Sequence, residues 1–280
     1  MAAYYKFSGK FAPQGPLLGI LAGAGVSIPA TFLYVYGTVS IPEAKLRAIC
    51  TLAFGALIGA CSGFAMCWGK VRNRFVAATV GLAASLFGLY FSWFAWIMHL
   101  VQPSHWVFNL ARPVMHPRRL WNAMVVVNGI GTWSSSSGST PEHGTFLWIV
   151  WIGEALLLVG TGTLVAFSVV QLRPFCERCE QWCSQKTKLL FAPSLPAAEF
   201  KTSLESQDVA SLAKLAAGDP KQPHYRVDLY TCANCHSLTT LSLTQSFGKN
   251  HKTILNKLMI APDQAAAIRN LALARSPRPA

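Results

Sequence analysis

Charge is scarce in this sequence. Asp, Glu, Lys and Arg make up 12% of its 280 residues, about half the share of an ordinary soluble domain. So little charge excludes a disordered or heavily solvated chain. Acids are scarcest. Residues 1–172 hold three, Glu43, Glu142 and Glu154, against ten Lys and Arg, whereas residues 173–280 hold eight acids against fourteen. Also missing are a phosphate-cradling glycine-rich loop, a nucleophile elbow and an HExxH helix. The expectation is therefore a protein that is not an enzyme.

Long apolar runs take the place of charge. Residues 17–39, 48–68, 75–101 and 145–172 contain no Lys or Arg, and Glu154 is their only acid. About 20 residues suffice to cross a bilayer. The expected fold class is an all-α transmembrane bundle of four helices, followed by a small α+β domain over 173–280. The first run outlasts the ~7–15-residue core of a signal peptide and reads as a span.

Orientation follows from the cations. Lys6, Lys10, Lys70, Arg72, Arg74, Arg173, Arg178, Lys186 and Lys188 fall on one side of such a bundle. Lys45, Arg47, Arg112, Arg118 and Arg119 fall on the other. Nine against five places both termini in the cytoplasm, as expected of a multi-pass protein of a bacterial inner membrane.

Within the bundle, Gly55, Gly59 and Gly63 form two overlapping GxxxG steps, and Gly19 and Gly23 repeat the spacing in the first span. Small residues let helices approach closely in lipid. The pattern predicts a tight hairpin of spans one and two, or a homo-oligomer through Gly55, Gly59 and Gly63. Pro29 predicts a kink in span one. In the outer loop, 102–144, a short surface helix is expected over 115–127, with Leu120, Trp121, Met124 and Val127 on one face. Trp106, Trp121, Trp133 and Trp148 suit an interfacial aromatic belt, and 134–140 reads as a polar turn. Glu154, about ten residues into span four, is costly in lipid and so marks a site. His99 is its expected partner. The pair reads as a packing lock or as a proton or cation site.

Eight cysteines fall into two groups. Cys50, Cys61 and Cys67 in span two read as buried thiols. Cys176-Glu-Arg-Cys179 and Cys232-Ala-Asn-Cys235 are two CxxC pairs, the usual ligand set of a structural zinc site. Cys183 and His236 are spare candidates, as alternative ligands or supporting neighbours. Tyr225, Val227 and Leu229 alternate before the second pair, and Leu241 and Leu243 after it. This predicts strand, knuckle, strand. Further expected elements are an amphipathic helix over 196–217, a strand over 253–260 and a helix over 262–274. The 52 residues between the pairs exceed the usual ~15–20. A loop that long is costly to close, so the tail is expected to need its metal to fold.

Two other chemistries compete. Cys232-Ala-Asn-Cys235-His236 matches the c-type haem signature CxxCH, but haem attachment belongs outside the cytoplasm and leaves Cys176 and Cys179 unexplained. Thiol oxidoreductase chemistry needs an oxidising compartment.

Several segments carry a resemblance. They are Gly69-Lys70-Val71-Arg72-Asn73, Gly131-Thr132-Trp133-Ser134, the run Trp148-Ile149-Val150-Trp151-Ile152-Gly153-Glu154-Ala155, and Pro174-Phe175-Cys176-Glu177-Arg178-Cys179 with Trp182. Together they resemble a family of bacterial four-span membrane proteins with a C-terminal zinc-ribbon-like tail. The resemblance implies an architecture and no activity.

The expected function is a scaffold whose zinc-binding domain engages a cytoplasmic protein partner. A small transporter or ion-conducting bundle using Glu154 comes second, and a membrane cytochrome or thiol oxidoreductase third. Nucleic-acid binding is not expected: the tail's net charge of +6, from fourteen cations and eight acids, forms no dense Lys/Arg stripe.

Overall fold

The computed structural model describes residues 2–41, 43–101, 116–132, 141–208, 210–248 and 250–275. Arg112, Trp106, Trp133 and the turn at 134–140 lie outside them. The chain divides into two compact units, residues 9–171 and residues 1–8 with 172–280.

The first unit contains four helices long and apolar enough to cross a membrane: α1 (Gln14–Ser40), α2 (Ala44–Trp68), α3 (Arg74–Val101) and α5 (Thr145–Val170). Pro29 lies inside α1. Asn73 starts α3, its Oδ1 accepting from the backbone N–H of Phe75 (2.9 Å) and Val76 (3.2 Å), a cap for otherwise unpaired donors. The outer-loop helix is α4 (Pro117–Ile130), close to the expected span. It buries Leu120 and leaves Trp121 exposed, stacked on Trp148 with ring centroids 5.3 Å apart.

The helices form a ring in which α2 meets α1 and α5, and α3 meets the same two. The tandem glycines do not face span one. A Cβ at Gly55 would lie 2.5 Å from the Leu158 carbonyl oxygen, one at Gly59 would overlap the Gly162 carbonyl oxygen, and one at Gly63 would lie 2.7 Å from Val169 Cβ. All three press on α5, so the close approach that their spacing predicts is made within the chain. Gly19 and Gly23 give α1 its own close contacts, against Met66 and Ser62 of α2 and Val80 and Ala84 of α3. Spacing identified the small-residue faces; it held no information on which helix would cover each.

In the second unit, β3 (Gln185–Phe191), β4 (His224–Thr231), β5 (Thr239–Phe247) and β6 (Asn250–Met259) form an antiparallel sheet in the order β3-β4-β5-β6. β1 (Phe175–Cys176) and β2 (Gln181–Trp182) form a separate two-stranded hairpin. The helix expected over 196–217 is broken into α6 (Ala197–Glu205) and α7 (Ala210–Lys214). β3 was not foreseen. α8 (Pro262–Arg275) closes the domain. Tyr225, Val227 and Leu229 share a core with Phe191, Phe200, Leu204, Leu241, Leu243, Leu258 and Ile268. The N-terminal segment continues the sheet beyond β6: Tyr5 N–H donates to the Lys257 carbonyl (2.9 Å), and Met259 N–H to the Ala3 carbonyl (2.8 Å).

The α2–α5 contact yields a paired prediction. Gly59→Ala should destabilise the bundle by about 1–3 kcal/mol through overpacking, whereas Gly160→Ala, with open space around its Cβ, should not. Thermal denaturation of both variants in detergent separates the two outcomes.

Candidate metal centre

The site is built by strand register. Gln185 of β3 lies opposite Thr231 of β4, and Thr231 lies opposite Thr239 of β5. Cys183 therefore ends the first hairpin where Cys232 begins the turn between β4 and β5. Two knuckles, 176–179 and 232–235, arrive at the same end of the sheet. The intervening chain runs out along β3 and back along β4, and its larger part, with α6 and α7, lies between the two strands. The sheet, rather than a metal alone, closes the gap. The domain has an apolar core of its own, and the first knuckle rests on a hairpin of two two-residue strands.

The Sγ atoms of Cys176, Cys179, Cys232 and Cys235 all lie within 4.8 Å of one another, and those of Cys176 and Cys235 are 3.5 Å apart. Metal–sulfur bonds of about 2.3 Å in a tetrahedron set sulfurs about 3.8 Å apart, so these four residues fit a single tetrahedral ion. All are free thiols, too far apart at 3.5 Å for a disulfide. Cys183 is buried beside the four without joining the group.

His236 is exposed and outside the group. Its place is explained by backbone. Glu180 and His236, each the residue after the second cysteine of its pair, have φ of 50° and 52°. Both knuckles need a left-handed residue there, where glycine costs least, and His236 N–H donates to the Cys232 carbonyl (3.2 Å). This shared requirement was legible in the sequence only as two equivalent CxxC+1 positions. Cys232 is fully buried, and both thiols of the CxxCH stretch share one cluster with Cys176 and Cys179.

The thiols differ in acidity. The Ser237 hydroxyl, 2.9 Å from Cys235 Sγ, stabilises the thiolate and draws Cys235 down to about 5. Cys179 donates to Cys235 and is pushed up to about 12. Burial pushes Cys183 up to about 12 as well. Cys235 thus stands ready as a thiolate at neutral pH, whereas Cys179 must lose its proton as an ion enters.

The other predicted residues lie elsewhere. Glu154 and His99, expected to pair, have different neighbours. The His99 ring packs edge-on against Tyr36, centroids 5.4 Å apart, while Glu154 lines a cavity that Arg47 also lines.

Metal affinity should fall as pH falls, because protons compete for Cys179 and its neighbours; zinc release to a chromophoric chelator from the full chain should begin earlier at pH 5.5 than at 7.5. Cys232→Ser should abolish stoichiometric metal. Glu180→Gly and His236→Gly should keep it and raise thermal stability by up to about 1 kcal/mol each; loss of metal in His236→Gly would restore His236 as a ligand. No protein family, curated protein or solved structure matches this chain.

Proposed function

We propose that this is an integral membrane protein whose tail is a cytoplasmic, zinc-stabilised interaction domain serving as a scaffold for a protein partner. The observation that carries it is the convergence of four cysteine sulfurs within 4.8 Å at one end of a sheet with its own core. All four tetrahedral positions would be taken by protein. A closed site of this kind is structural, whereas a catalytic zinc keeps a position open for water or substrate. Zinc suits four thiolates without redox chemistry. The ion would fix two knuckle tips whose residues Glu177, Arg178 and Asn234 are exposed, a rigid polar surface for recognition.

The cation distribution supports a cytoplasmic tail. Parity supports placing both ends together: residues 2–8 belong to the same unit as the tail, and an even number of crossings, four, returns the chain to the side it left. The setting proposed is a bacterial inner membrane.

Elemental analysis of the purified full chain should find about one zinc and no iron per chain, with X-ray absorption showing four sulfurs at about 2.3 Å. A Soret band from attached haem, or a phosphatase fused after residue 275 that is active in the periplasm, would overturn the assignment. A photocrosslinker at position 178 should give a discrete protein adduct that disappears in Cys232→Ser; no adduct in cells that retain zinc-loaded protein counts against the scaffold role.

A further inference from the structure

Glu154 is the one acid in the four apolar runs, and the metal centre does not use it. It lines a cavity of about 410 Å³ within the helical unit, walled by residues from α1, α2, α3 and α5. Arg47 lines the same cavity, its Nε–H donating to the Ile41 carbonyl oxygen at 2.8 Å. That bond anchors the guanidinium at the start of α2. Three indoles form another part of the wall. Trp93 and Trp151 lie 4.7 Å apart between centroids at 78°, Trp93 and Trp96 5.5 Å apart at 83°. The Tyr34 ring also reaches the cavity; its hydroxyl is 3.1 Å from Thr51 Oγ1.

We infer that this cavity binds a small zwitterion: an ammonium group, best quaternary, joined through a few bonds to a carboxylate or phosphate. Each part of the wall contributes to the argument. Indole faces attract ammonium ions, and quaternary ones in particular, through the ring quadrupole. Glu154 adds a carboxylate on the same helix as Trp151, one turn away. A simple cation would satisfy these groups but would sit in one cavity with the Arg47 guanidinium. A simple anion would meet Glu154. A ligand carrying both charges matches both. Apolar walls strengthen each attraction by lowering the local dielectric. The volume is at the small end of the range for organic ligands, roughly 300–1,000 Å³. The same chemistry is presented by a free solute such as glycine betaine and by the headgroup of a zwitterionic phospholipid. This inference is independent of the zinc reading and survives its failure.

The test is a calorimetric titration of the full chain in detergent. Glycine betaine should bind saturably. 3,3-Dimethylbutanoate, its isostere without the positive charge, and choline, which lacks the carboxylate, should each bind at least tenfold more weakly to the unaltered protein. Glu154→Gln should lose the preference for glycine betaine over the isostere while the thermal transition is kept. Repeating the titration in nanodiscs identifies the source. Glycine betaine affinity that is weaker in phosphatidylcholine than in phosphatidylglycerol discs marks a lipid headgroup as the natural occupant, and equal affinity marks a free solute. Absence of saturable binding in detergent and in phosphatidylglycerol discs overturns the inference, as does an isostere that binds as tightly as glycine betaine.

Discussion

One strand register holds the functional end of this molecule together. Gln185 opposite Thr231, and Thr231 opposite Thr239, bring the start of one knuckle chain and both arms of the other to a single edge. A slip of one residue would turn the β3 side chains to the opposite face, taking Leu189 and Phe191 out of the core and carrying Cys176 and Cys179 away from Cys232. The apolar core under the sheet therefore fixes the thiol geometry, and an ion would meet an arrangement already nearly made.

The helical unit solves a different problem. In lipid, apolar surface gives no drive for helices to associate, so contact must be close. Here closeness is achieved at Gly55 and Gly59, where the backbone of α2 rests on carbonyl groups of α5, and again at Gly23. Toward the other end of these helices bulky indoles replace glycine, and packing opens into a cavity. Small residues close one part of the bundle, and large rings with two opposite charges hold another part open.

Much of this was legible from residue patterns. The four long helices, the strands on either side of Cys232–Cys235 and the final helix followed from apolar runs, period-two alternation and Pro262. The four thiols were legible because CxxC spacing is a local signal. What escaped was non-local. β3, with its exposed Lys186 and Lys188, carries little alternation until it meets β4, where Lys186 lies 3.4 Å from the buried Asp228 carboxylate. The partner of the tandem glycines depended on helix order around the ring. Glu154 was assigned to His99 because both were expected toward the outer leaflet, whereas the cation that shares its cavity, Arg47, comes from the first turn of α2.

The segment at residues 2–8 has a consequence for how the chain is made. It precedes the four long apolar helices in the sequence, yet its place beside β6 exists only after residue 259 has been synthesised. Throughout translation of the bundle, Tyr4, Tyr5 and Phe7 wait without their sheet. Their docking joins residues at opposite ends of the described sequence, a non-local contact that is slow to be found by chance. The β6 edge of the sheet, which would otherwise be open to neighbouring chains, is covered by residues 3–5, so the sheet acquires its protected edge only when two distant parts of the sequence meet.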